Sequence, residues 1–109
     1  MNLTSFLQDR HLTVALSGEI DHHSAKNTMR IVANKIDLYL PVECVLDFKD
    51  VTFMDSSGIA IVISALRRMR ELGGVAKLQN VPQQPMKVLR ASGIEQIVEI
   101  EERSLEYEM

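Results

Sequence analysis

Six residues, Phe53-Met54-Asp55-Ser56-Ser57-Gly58, separate two apolar stretches of different period, and they restrict the fold more than any other segment. Before them, Glu43 to Phe48 carries Cys44, Val45, Leu46 and Phe48, a nearly continuous apolar run. Such a run suits a strand in the middle of a sheet. Lys49, Asp50 and Thr52 then break the pattern. After the six residues, Ile59, Val62, Ile63, Leu66, Met69 and Leu72 recur at steps of three and four, the stripe of a half-buried helix. The segment is therefore read as a strand-to-helix junction. Asp and Ser are preferred N-caps, because a side-chain oxygen accepts from the free N–H groups of the first turn. Two readings follow. Asp55 and Ser56 simply cap a helix, or the junction also presents a serine at the lip of the fold, within reach of an enzyme.

The remaining chain supplies the layers around that junction. Leu3 to Leu7 is a weak strand, and Leu12, Val14 and Leu16 alternate with Thr13, Ala15 and Ser17. Alternation marks a strand with one buried face. The short polar link Gln8-Asp9-Arg10 predicts an antiparallel hairpin. Gly18 to Ser24 follows as a polar loop in which Asp21 and Ser24 are both candidate helix caps. Ala25, Met29, Val32, Ile36 and Tyr39 or Leu40 form the next helical stripe, which Pro41 stops. Gly73 and Gly74 end the central helix, Val75 to Leu78 reads as a strand, and Met86 to Ala91 as a short helix between Pro85 and Gly93. Ile97 to Ile100 reads as a last short strand, and Glu101 to Met109 as a short acidic helix. Strands alternating with helices imply right-handed crossovers and a mostly parallel sheet. The fold class is α/β, one domain over residues 1–109.

Composition narrows the function. At 109 residues the chain can bury roughly 65% of its unfolded surface, enough for a core without metals or disulfides. Its net charge of −3 argues against nucleic acid as a partner, because that binding rests on neutralising phosphates with Lys and Arg. The one cysteine, Cys44, lies in the apolar strand and reads as a small buried hydrophobe. Met1 to Arg10 has no basic residue before Arg10, so no signal peptide is expected. No apolar run approaches the ~18 residues of a membrane span. A cytoplasmic setting without membrane contact is the expectation.

Catalytic readings are weak. A nucleophile elbow needs glycine two residues either side of its serine. Ser56 is flanked at those positions by Met54 and Gly58, and Ser57 by Asp55 and Ile59. A hydrolase would also need a base from among the three histidines, His11, His22 and His23. Asp21, His22 and His23 invite a metal, but no cysteine or second histidine cluster completes a shell. Asp47, near the end of a central strand, raises a phosphoaspartate receiver, yet the acidic pair Glu19 and Asp21 ends a hairpin strand and the helix count is short. No Gly-x-x-x-x-Gly-Lys run exists to cradle phosphate. Arg67, Arg68 and Arg70 lie mostly off the apolar stripe and read as a solvated face. No catalytic residue, metal or cofactor is expected.

Two segments taken together carry a family resemblance. Gly18-Glu19-Ile20-Asp21-His22-His23-Ser24 and Phe53-Met54-Asp55-Ser56-Ser57-Gly58, at this spacing, resemble the anti-sigma factor antagonists of the STAS domain family. Gly73-Gly74 and Ala91-Ser92-Gly93-Ile94 also fall where such proteins carry similar residues. The resemblance implies a mixed, mostly parallel sheet wound as a (βα)n superhelix, with an N-terminal antiparallel hairpin strand and helices mainly on one side. It implies binding without catalysis. The partners it implies are an anti-sigma factor that is also an ATP-dependent serine kinase, and a PP2C-type serine phosphatase. The phosphoacceptor it implies is the serine after the aspartate, Ser56, with Ser57 as the rival. The partner surface it implies comprises Asp21, His22, His23, Ser24, Asp55, Ser56, Ser57 and Gly58. The pair His22-His23 is similar to the sporulation, sigma-F branch of Bacillus and its relatives, as against the general-stress branch.

Overall fold

The alternating pattern resolves into one five-stranded sheet with its strands in sequential order. A computed structural model describes residues 2–101. Strands β1 (Asn2–Gln8) and β2 (His11–Ile20) form the antiparallel hairpin, turning at Asp9 and Arg10 with φ of 52° and 65°. Helix α1 (Ala25–Tyr39) leads to β3 (Glu43–Met54), α2 (Ile59–Glu71) to β4 (Val75–Gln79), and α3 (Gln83–Ser92) to β5 (Glu99–Glu101). The pairs β2–β3, β3–β4 and β4–β5 are all parallel. Sequential order with crossovers of one hand stacks the helices on one face of the sheet. The core reflects this. Leu12, Val14 and Leu16 of β2, Cys44, Leu46 and Phe48 of β3, and Ala76 and Leu78 of β4 share one cluster with residues of all three helices. Burial pushes the Cys44 thiol up to about 12, with help from the charge of Glu43, so it packs as a hydrophobe. On the other face Lys77 bridges Glu43 at 3.2 Å and Glu101 at 3.1 Å.

Four elements differ from the sequence reading. The loop expected from Gly18 to Ser24 begins later, because β2 continues to Ile20. The strand expected to stop at Phe48 runs on to Met54. The positions it buries in the core cluster step by two through Cys44, Leu46 and Phe48, then by three to Val51 and Met54, while Val45 is buried outside that cluster. The change of period coincides with irregular register against β2, between Ala15 and Ser17 and between Gly18 and Glu19. Each irregularity adds a residue on β3, which is how a bulge re-aims a strand without ending it. Gly18, with φ of 84°, sits at this irregular stretch. In α2 the buried residues are Ile61, Val62, Ala65, Leu66 and Met69, while Ile59 and Ile63 are half-buried and Leu72 is 43% exposed. The helix packs against α1 as well as the sheet, so its buried sector is wider than one stripe and turned toward Ile61 and Ala65. Tyr39 and Leu40 are likewise exposed at the end of α1, where Leu40 takes the left-handed cap conformation before Pro41. The acidic helix expected from Glu101 lies outside the described residues apart from Glu101 itself, which ends β5.

The paired glycines have separate duties. Gly73 takes a φ of 76° after the last turn of α2. Gly74 donates its N–H to the Met69 carbonyl at 2.8 Å and has no room for a side chain. A Cβ there would lie 2.6 Å from the Val42 carbonyl oxygen and 2.8 Å from Met69 Cε. Gly74→Ala is therefore expected to destabilise the fold by about 1–3 kcal/mol through forced displacement of backbone and core. Urea unfolding of the two proteins checks this, with an unchanged midpoint as the contrary result.

Candidate functional site

The site is assembled by the register of two neighbouring strands. Ile20 lies opposite Met54, and the Asp55 N–H donates to the Ile20 carbonyl at 3.0 Å. Both strands therefore end at the same level, and the chain leaves each at the carboxyl end of the parallel sheet. Ligands of open α/β sheets gather at that end. The segments Asp21–Ser24 and Asp55–Gly58, far apart in sequence, emerge side by side.

Between β3 and α2 the chain makes a 3₁₀ turn, Ser56–Gly58, so Ser56 does not cap α2 as one sequence reading had it. Asp55 is the cap, and it caps the turn. Its Oδ1 accepts from the Ser57 N–H at 2.9 Å and also from the Ser57 hydroxyl. These two bonds, hydroxyl first, hold the Asp55 carboxyl below the usual aspartate range. Partial desolvation opposes them, and the His22 amide and imidazole add to them. The two serines thus differ in chemistry. Ser57 is half-buried with its hydroxyl committed to Asp55. Ser56 is exposed, and no described residue hydrogen-bonds to its hydroxyl. Gly58, expected on the partner surface, is buried instead. A Cβ on it would fall 2.5 Å from Met54 Cγ and Sδ and 3.3 Å from Ile20 Cγ2, so its part is to let the turn close over the strand ends.

The loop before α1 is held by Asp21. Its Oδ1 accepts from the amides of His23 at 3.0 Å and Ser24 at 3.1 Å. Desolvation pushes the Asp21 carboxyl up, but those amides and the two neighbouring imidazoles outweigh it, and the net direction is down. Ser24 precedes α1 without capping it by its side chain. Its hydroxyl instead turns back to the Asp21 and Glu19 carbonyls at 3.3 and 3.4 Å. The rings of His22 and His23 lie 4.0 Å apart at 38°, both on exposed residues. A small cleft of about 230 Å³ is lined by His22, Ala25, Lys26, Met29, Ser57 and Ala60, joining the two loops. A second cleft of about 420 Å³ lies on the other side of the turn, between Ser56, Ile59, Lys87, Val88, Ala91 and Ser92.

Asp47 is placed away from all of this. It sits mid-strand in β3, and its carboxylate accepts from the Lys49 N–H at 2.9 Å and Asn80 Nδ2 at 3.2 Å. That position does not serve a receiver, whose acceptor aspartate ends its strand. Sequence reasoning missed Gln84, at the start of α3. Its side-chain amide accepts from the Met54 N–H and donates to the Met54 carbonyl, both at 2.8 Å. No residue pattern announces such a bond, since glutamine at a helix start is ordinary.

Fold and site define a small α/β domain whose exposed polar residues converge where its parallel strands end. Residues 6–106 match the family model of the STAS domain, and the chain belongs to that family. Among its relatives is the anti-sigma-B factor antagonist of Bacillus subtilis, 26% identical over 100 residues, covering 88% of this chain and 86% of that protein. Another is the anti-sigma F factor antagonist of Paenibacillus polymyxa, 30% identical over 89 residues, covering 82% of this chain and 76% of that one. The structure of the anti-sigma factor antagonist SpoIIAA in its unphosphorylated form superposes with a TM-score of 0.82 at 23% identity, over 98% of this chain and 92% of that one. SpoIIAA of Bacillus in its phosphorylated form gives 0.72 at 24% identity, over 98% and 96%.

The Asp55–Ser57 pair makes a titration prediction. Because the Ser57 hydroxyl is the largest cause of the lowered Asp55 value, Ser57→Ala should move the Asp55 carboxyl titration up toward the ordinary range. The sign for stability follows. A depressed carboxyl contributes fully above its unfolded value and loses that contribution as pH falls through the folded one. Carbon NMR of the side-chain carboxyl across acid pH measures it. An identical titration in both proteins would deny the hydroxyl its role.

Proposed function

We propose that this chain is an anti-sigma factor antagonist, switched off by phosphorylation of Ser56. The observation that carries the reading is the contrast between the two serines: a free, exposed hydroxyl on Ser56 beside a hydroxyl bound to Asp55. The names of the relatives supply the partner class. In the unmodified state the chain binds an anti-sigma factor that is also an ATP-dependent serine kinase, and so releases the sigma factor. The kinase modifies Ser56, and a PP2C-type phosphatase restores it. The chain itself performs no catalysis and acts in the cytoplasm. The partner surface comprises Asp21, His22, His23, Ser24, Asp55, Ser56 and Ser57, with buried Gly58 shaping it from beneath. The His22-His23 pair favours the sporulation branch. The general-stress branch is the second reading, favoured by the span of the match to the anti-sigma-B antagonist.

The switch has a simple electrostatic form. Phosphate adds about −1.5 to −2 charges. It adds to the charge of the adjoining Asp55, on a turn that the Asp21 loop flanks, and both of those carboxylates are held in the ionised form. A partner presenting acidic groups or an ATP phosphate nearby is repelled. About 2.8 kcal/mol of such repulsion weakens binding roughly a hundredfold.

Ser56→Ala is expected to abolish labelling by the kinase with ATP while still binding it, and Ser57→Ala to remain a substrate. Ser56→Asp should bind more weakly than Ser56→Ala. Phosphopeptide mapping and calorimetry read these outcomes, and phosphate found only on Ser57 would refute the assignment. Asp21→Ala should lower both melting temperature and affinity, because the carboxylate holds the turn that shapes the loop. Lower stability with undiminished binding would confine Asp21 to the scaffold.

A further inference from the structure

The last residue of β3 has an unusual partner. Beyond Asp47, β3 has no strand on its β4 side, because β4 pairs only as far as Gln79. In a parallel ladder, successive residues turn their N–H and C=O groups to alternate edges. Asp55 turns its N–H toward β2, onto the Ile20 carbonyl, so Met54 turns both its groups toward the empty edge. Met54 is 0% exposed, and unpaired polar groups there would be buried without water. The Gln84 amide fills the place of the missing strand, accepting from the Met54 N–H and donating to its carbonyl, each at 2.8 Å. It thereby joins the first turn of α3 to the residue directly before Asp55-Ser56. The Met54 side chain is meanwhile covered by Gly58. One residue is thus held by its main chain from α3 and by its side chain from the 3₁₀ turn.

The geometry points to Gln84 as a positioning residue for Ser56, a role that rests on the phosphoacceptor reading above. Gln84 fixes where the Ser56 turn stands against α3, and so fixes the shape of the cleft between Ser56 and Lys87, Val88, Ala91 and Ser92. A kinase that docks on this surface meets the hydroxyl at one distance from α3. With the tie cut, Asp55 still binds Ser57 and the core still packs, but the turn no longer holds its place relative to α3.

The test uses the full chain with the anti-sigma factor kinases of its source organism and labelled ATP. Gln84→Met keeps the length of the side chain and removes both hydrogen bonds. Gln84→Glu keeps the acceptor and loses the donor at neutral pH. Ile36→Val, at the far end of α1, controls for general loss of stability. Gln84→Met should lower kcat for Ser56 by about tenfold to a hundredfold with KM close to wild type, since misplacement of a reacting group costs on that scale. Gln84→Glu should fall between the two, and Ile36→Val should match wild type. The Met54 amide should exchange faster in Gln84→Met and stay protected in Gln84→Glu. Wild-type kcat in Gln84→Met, or a loss no greater than in Ile36→Val, overturns the inference. If wild type itself is not labelled on Ser56, the phosphoacceptor reading fails. Hydrogen exchange then decides the tie alone, and unchanged protection of Met54 and Asp55 in Gln84→Met overturns it.

Discussion

The pairing of β2 with β3 at their carboxyl ends is the constraint on which the site depends. Early in the strands, Leu12 stands opposite Cys44 and Val14 opposite Leu46. Continued without interruption, that register would set Ile20 against Thr52. The irregularities near Ala15 and Gly18 take up two further residues of β3, and Ile20 meets Met54. The consequence is geometric. Asp55 arrives level with Asp21, and the two polar segments leave the sheet together. It is also energetic, because a slip by one residue turns a strand's buried set toward solvent. Ile20 and Met54 are both fully buried, so the hydrophobic term holds the register that the site requires.

Much of the architecture was legible from period alone. The hairpin, the three crossovers and the junction at Asp55 follow from alternation, helical spacing and turn residues. The continuation of β3 was not, and the reason is physical. A bulge replaces a step of two by a step of three, so Lys49, Asp50 and Thr52 look like a break in a strand when they are exposed residues of a twisted one. The exposed Leu72 and the buried Ile61 in α2 were missed for a related reason. A single stripe describes a helix on a flat surface, and α2 lies against α1 as well as the sheet. At the site, the residue types and their neighbourhood could be read from sequence, but the division of labour between Ser56 and Ser57 could not. Identical side chains one position apart are distinguished only by which one reaches Asp55.

That division shows how a short turn resolves two competing roles for serine. A hydroxyl near a turn tends to bond to the local backbone or to a nearby carboxylate. Ser57 does so, and satisfies Asp55. Ser56 makes no such bond: the amide and hydroxyl that Asp55 Oδ1 accepts from are both those of Ser57. The cap that stabilises the turn thus engages one of the two hydroxyls and not the other. Gln84 extends the same logic to the main chain, where a side-chain amide completes the edge of a strand that outlasts its neighbour.

On the phosphoacceptor reading, these ties also determine how far a signal at Ser56 can travel. Charge on an exposed residue is screened within about 8 Å at physiological ionic strength. Within that range stand Asp55 and its own turn, and Asp55 is fixed by Ser57 and cannot swing aside. Beneath them lie Met54 and Ile20, close-packed and fully buried. Packed interiors shift little for a surface charge. A phosphate therefore has little means of moving α2 through the core. What it can do is concentrate negative charge on a turn already fixed by Asp55, Gln84 and Gly58. Such a switch needs no second conformation, because the groups it must repel belong to the partner.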